Sequence, residues 1–76
     1  MSRLTYRIVL RQEPEGGYTV TVPSLPGCIT YGETLEEAYA MAEEAIKAYI
    51  ESLQKHNEFI LDDSHTFEGV LNLQYV

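Results

Sequence analysis

Apolar and polar residues alternate from Leu4 to Arg11: Leu4, Tyr6, Ile8 and Leu10 fall on one side, and Thr5, Arg7, Val9 and Arg11 on the other. A period of two predicts a half-buried strand over residues 4–12. Glu13-Pro14-Glu15-Gly16-Gly17 breaks the pattern with turn residues, and Tyr18-Thr19-Val20-Thr21-Val22 resumes it, so the two runs read as an antiparallel hairpin. Pro23-Ser24-Leu25-Pro26-Gly27 cannot continue a ladder and predicts an ordered loop. Cys28-Ile29-Thr30-Tyr31 reads as a short third strand ended by Gly32.

The period then changes. Leu35, Ala38, Tyr39, Ala42, Ile46, Tyr49, Ile50 and Leu53 recur at helical spacing and form one apolar stripe. Thr34 opens this helix as its cap, Glu37 completes a capping box, and Glu36 and Glu37 suit the positive end of the helix dipole. Glu43 with Lys47 and Glu51 with Lys55 stand four apart in the favourable order. The helix is expected to fade near Lys55-His56-Asn57. After a polar, irregular stretch over 57–69, Val70 to Val76 alternates again with Leu71, Leu73 and Tyr75 on one side. This segment reads as a fourth strand, parallel to the third because a helix separates the two. The expected fold is a single small α+β domain over residues 1–76, β-β-β-α-β, with the helix on one face of a four-stranded mixed sheet. The other face carries Thr5, Arg7, Thr19 and Thr21, so it is polar and either wet or met by a partner.

A chain of 76 residues builds a small core, which makes self-association a reasonable expectation. Strand four is the expected sheet edge, with Leu71, Leu73 and Tyr75 as its interface residues in a dimer or tetramer. Tyr31 and Tyr75 are placed near an edge, whereas Tyr6, Tyr18, Tyr39 and Tyr49 are assigned to the core. No apolar run is long enough to span a membrane and the N-terminus lacks a signal-peptide pattern, so the chain is expected in the cytoplasm.

The net charge of -7 is unevenly spread. Residues 1–12 hold Arg3, Arg7 and Arg11 and no acid, while the remainder holds all 12 acids against Lys47 and Lys55. An acidic surface repels phosphate, which argues against free nucleic acid as the ligand and favours a basic protein.

The sequence offers little for catalysis. The first two strands contain no acid, and Asp62 and Asp63, adjacent in a loop, make a poor chelating pair. Cys28 cannot form an internal disulfide, has no basic neighbour in sequence to activate it, and reads as a small buried apolar residue. His56 and His65 share no metal-ligand spacing with each other or with Cys28. Gly16-Gly17 opens no helix and so cradles no phosphate. No catalytic residue, metal, cofactor or small-molecule substrate is expected.

The run Gly17-Tyr18-Thr19-Val20-Thr21-Val22-Pro23-Ser24-Leu25-Pro26-Gly27-Cys28-Ile29-Thr30-Tyr31-Gly32-Glu33-Thr34-Leu35-Glu36-Glu37-Ala38 resembles the HicB family of antitoxins. The match is carried by Pro23, Leu25, Pro26, Gly27, Cys28, Thr30, Gly32, Thr34, Glu37 and Ala38. Ala42-Glu43-Glu44-Ala45-Ile46 continues it, and it covers roughly residues 4–55. These residues look like scaffold, so they identify a fold better than a binding site. The resemblance implies a truncated ribonuclease H-like fold without nuclease activity. It also implies a partner, a small basic mRNA-cleaving toxin of the HicA type, neutralised by covering its RNA-binding surface. Many HicB-like proteins carry a further C-terminal DNA-binding segment. Here the sequence stops after strand four with no basic helix, so direct DNA binding is not expected of this chain alone. Two other functions stand beside the antitoxin: a solitary dimerisation or regulatory module without a toxin, and a metal-dependent nuclease, the latter on fold analogy alone.

Overall fold

The computed structural model describes residues 3–75. Three strands, β1 (Val9–Gln12), β2 (Tyr18–Thr21) and β3 (Ile29–Gly32), form an antiparallel sheet in the order β1-β2-β3, and one helix, α1 (Leu35–Lys55), covers one face. The hairpin turns where expected: the Gly16 amide donates to the Glu13 carbonyl at 3.0 Å and the Glu13 amide to the Gly17 carbonyl at 2.9 Å. Gly16 at φ 112° occupies a conformation open to glycine and strained for other residues.

The register sorts the side chains into layers. Leu10 pairs with Val20 and Val20 with Thr30, so these point toward the helix; Val9, Thr21 and Ile29 align on the opposite face. Val20, Ala38 and Ala42 make one buried cluster with Ile8, Leu10 and Tyr18 packed on it. Val22, Leu25 and Cys28 make another, against Tyr6, Ile46, Tyr49 and Leu53. Fully burying a valine such as Val20 or Val22 contributes about 1.5–3 kcal/mol. Small residues at 38 and 42 let the helix approach closely. A Cβ on Gly32 would collide with the backbone of Glu37 and Ala38, so the absence of a side chain there sets the helix-to-strand distance.

Both helix ends are closed locally. The Thr34 hydroxyl accepts the Glu37 amide at 3.1 Å, and the Glu37 carboxylate reaches the amide of Glu33, one residue earlier than in the usual capping box. At the other end, Asn57 adopts φ 53°, its amide bonds the Gln54 carbonyl and the Glu58 amide bonds the Leu53 carbonyl, which is a Schellman closure. Glu43 and Lys47 form an ion pair at 3.2 Å, the one ion pair among the described residues; Glu51 and Lys55 do not close.

The expected fourth strand is corrected. Residues 70–75 form no ladder, and the sheet has three strands, all antiparallel, in place of a four-stranded mixed sheet. Val76, the last residue of the expected strand, lies outside the described residues. Alternation specifies which residues a strand would bury but not which edge it reaches, and here the chain after Thr66 leaves the sheet. The first strand is also shorter than its alternation, and Pro23 supplies the reason. Odd-numbered amides of β1 face β2. Opposite Arg7, β2 would present Pro23, which has no amide to donate to the Arg7 carbonyl, so the pairing stops short of it.

Candidate functional site

Where β2 ends before Pro23, Asp62 and Asp63 take over beside residues 5–7. The Arg7 amide donates to the Asp63 carboxylate at 2.8 Å, the Thr5 amide to Asp62 at 2.9 Å, and the Asp63 amide to the Thr5 carbonyl at 2.7 Å. The Ser24 hydroxyl donates to the other Asp63 oxygen. Asp63 is the one buried charged residue among those described. Amide hydrogen bonds, first from Arg7 for Asp63 and from Thr5 for Asp62, hold both carboxyls below their ordinary range. These acids therefore fasten the returning chain to the extended segment that leads into β1. Among the described residues no three potential ligands gather to hold a metal. The sequence reading missed this latch, because a side chain that bonds a backbone leaves no periodic trace. The available signal was a proline ending one strand while its neighbour continued.

The same latch fixes Tyr6, whose hydroxyl donates to the Leu61 carbonyl at 2.6 Å; burial, then the nearby Asp62 and Asp63, push its ionisation up. The Arg7 guanidinium donates twice to the Thr66 carbonyl, at 2.6 and 3.1 Å. Beyond Thr66 the chain becomes an exposed arm: Leu71, Leu73 and Tyr75 are 79–90% exposed.

Along the segment leading into β1, an open groove of about 540 Å³ runs between Leu4, Tyr6 and Ile8 on one side and Tyr39, Glu43, Ile46, Lys47 and Ile50 on the other. Tyr39, assigned to the core by helical spacing, is 59% exposed at this groove. Tyr49 is half-buried, and its hydroxyl bonds the Pro26 carbonyl at 2.8 Å, pinning the loop to the helix. Tyr31, on edge strand β3, is exposed and bonds the Gly16 carbonyl at 3.0 Å. The open sheet face is less polar than the alternation suggested, since Val9, Ile29 and Tyr31 are exposed on it.

The motif residues lie in the scaffold around the loop. Leu25 and Cys28 are buried, and burial pushes the Cys28 thiol up. The loop closes on itself through Leu25 amide to Val22 carbonyl and Cys28 amide to Leu25 carbonyl. Thr30 is half-buried, Pro23, Pro26 and Gly27 are exposed, and Gly32 meets Ala38 beside the Thr34–Glu37 cap. His56 and His65 are exposed. On the helix, Glu36, Glu37, Glu43, Glu44 and Glu51 are exposed and fall within an arc of about 120° at 100° per residue. Lys47 and Lys55 share that arc and leave it net acidic. No helix among the described residues is long and apolar enough to cross a membrane.

Comparison with known proteins gives these surfaces a context. A UPF0150 protein of Thermoplasma acidophilum is 49% identical over 61 residues, covering 80% of this chain and 88% of its own length. Antitoxin HicB 1 of Photorhabdus laumondii is 37% identical over 60 residues, covering 79% of this chain and 39% of its own length. Antitoxin HicB of Escherichia coli K12 is 35% identical over 57 residues, with 75% and 41% covered. The chain thus spans about two fifths of the proteins named HicB and most of the archaeal relative. The family model for the HicB-like antitoxin of bacterial toxin–antitoxin systems matches residues 6–75, nearly the whole length, and the chain belongs to that family.

Proposed function

We propose that this chain is the partner-binding domain of a toxin–antitoxin pair. It binds a small basic mRNA-cleaving toxin of the HicA type and covers the surface that would hold RNA. Family membership supports the antitoxin role. The observation that carries the choice of a basic partner is the acidic arc on α1, Glu36, Glu37, Glu43, Glu44 and Glu51. Complementary charge speeds encounter and orients docking, and the same acids repel nucleic acid. The domain acts by occlusion, without catalysis, cofactor or metal, and works in the cytoplasm as a homo-oligomer built on Leu71, Leu73 and Tyr75. Its scaffold is a reduced form of a ribonuclease H-like fold.

The test is co-expression with the small basic protein encoded beside it. The two should co-elute at low salt with RNA cleavage abolished, and Glu43→Lys with Glu44→Lys should weaken the complex at least tenfold. Failure to co-elute at low salt would remove the toxin from the reading. The second reading is a solitary self-associating module, favoured by the exposed apolar arm. A gene with no basic neighbour, and a stable homo-oligomer, would select it.

A further inference from the structure

The sheet is one strand short at a definite place. In the hairpin, the Glu13 amide bonds Gly17, and odd-numbered backbone groups continue to face β2 or its replacement, the 62–63 latch. The backbone groups of Leu4, Tyr6, Ile8 and Leu10 therefore point the other way. They face the outer edge, where no strand lies among the described residues. Beneath that edge runs the groove, mostly apolar along Tyr39, Ile46 and Ile50 and bordered by the Glu43–Lys47 ion pair. An open edge with an apolar trough below it is the site at which a further strand would lay alternate side chains.

The chain also carries one strand too many. From Leu71 to Tyr75 the arm places apolar side chains at every second position, as Leu4 to Ile8 does on the edge. Both stretches span five residues, about 13 Å from first to last at roughly 3.3 Å per residue. The arm carries no charged side chain from Gly69 to Val76, which suits contact between copies that each carry a formal -7. It lies off its own groove: Leu71, Leu73 and Tyr75 are exposed and none of them lines it.

We propose that the arm of one copy docks as the missing strand on the outer edge of a second copy, with Leu71, Leu73 and Tyr75 in the groove, and that the exchange is reciprocal. Two such arms with the surfaces they cover remove on the order of 1,500 Å² from water, within the range of specific interfaces. This deepens the self-association reading by naming the receiving surface, which borders the acidic arc at Glu43 and Lys47, and its test needs no toxin.

The experiment uses the full chain without a partner. Sedimentation should give two chains per particle at tens of micromolar. In a mixture of isotope-labelled and unlabelled copies, filtered NOE spectra should show contacts between the Leu71 and Leu73 methyls of one copy and the Ile8, Ile46 and Ile50 methyls of the other. Leu71→Asp with Leu73→Asp should halve the mass with an unchanged circular dichroism spectrum, since these side chains lie outside the core. A dimer that persists in this variant would overturn the exchange and keep self-association. A wild-type monomer, whether its arm is free or folded onto its own groove, would overturn both.

Discussion

The Asp63 carboxylate stands where the backbone of Pro23 would have met the Arg7 amide, bonding it at 2.8 Å. A side chain from near the end of the sequence thus completes a ladder that the second strand abandons. Asp63 has a lowered folded value, set first by the Arg7 amide and then by Ser24. The stability it contributes is present in full above the ordinary carboxylate value of about 3.9 and is lost as pH falls through the lowered folded value. Asp62 follows the same sign. Amide exchange at Thr5 and Arg7 should stay protected at neutral pH and rise once the pH drops well below 4. Protection unchanged down to pH 2 would show that the carboxylates do not hold the segment.

Asp63→Asn tests the same contact at constant pH. An asparagine offers one acceptor where two donors, the Arg7 amide and the Ser24 hydroxyl, converge. The melting temperature should fall, and the resonances of residues 60–66 should broaden before those of the helix. A variant that melts like the wild type would reduce the latch to a surface contact.

Gly32→Ala should be costly despite its small size. The added methyl meets helix backbone, which cannot rotate away. Overpacking of this kind costs about 1–3 kcal/mol, and each kcal/mol lowers the melting temperature of a domain this size by roughly 4–8 °C. Thermal unfolding followed at the helix signal checks it; Gly69→Ala, with open space around it, is the control.

Thr34→Ala removes the acceptor of the Glu37 amide. Loss of a cap costs about 1 kcal/mol. Thr34→Ser, which keeps the hydroxyl, should restore most of it. Denaturant melts of the three proteins decide whether the hydroxyl or the methyl matters.

At the far end of the helix, Asn57→Gly should leave stability unchanged or raise it by up to about 1 kcal/mol, because Asn57 already occupies a left-handed conformation that glycine adopts more readily. Asn57→Val should destabilise, since a β-branched side chain is strained there. A loss with glycine as large as with valine would mean that the asparagine side chain makes a contact of its own.

The hairpin, the loop and both ends of the helix were legible because each depends on residues close in sequence: a Pro-Gly turn, a threonine with a glutamate three residues on, an asparagine after the last turn. Tyr39 was misplaced for a different reason. Helical spacing put it on the apolar stripe, but the stripe is wider than the three-stranded sheet beneath it, so its margin is left over the groove. The segment after Val70 carries the correct alternation and no statement of its partner. Asp62 and Asp63 were weighed as chelators because their chemistry is visible and their hydrogen-bond partners, nearly sixty residues away, are not.

The clustering of acids on α1 has a consequence at long range. Glu36, Glu37, Glu43, Glu44 and Glu51 stand together within one arc of the helix and outnumber Lys47 and Lys55 there. Their potential extends beyond contact, so a cationic protein within about a Debye length, roughly 8 Å at physiological salt, is attracted to that arc before any atoms touch.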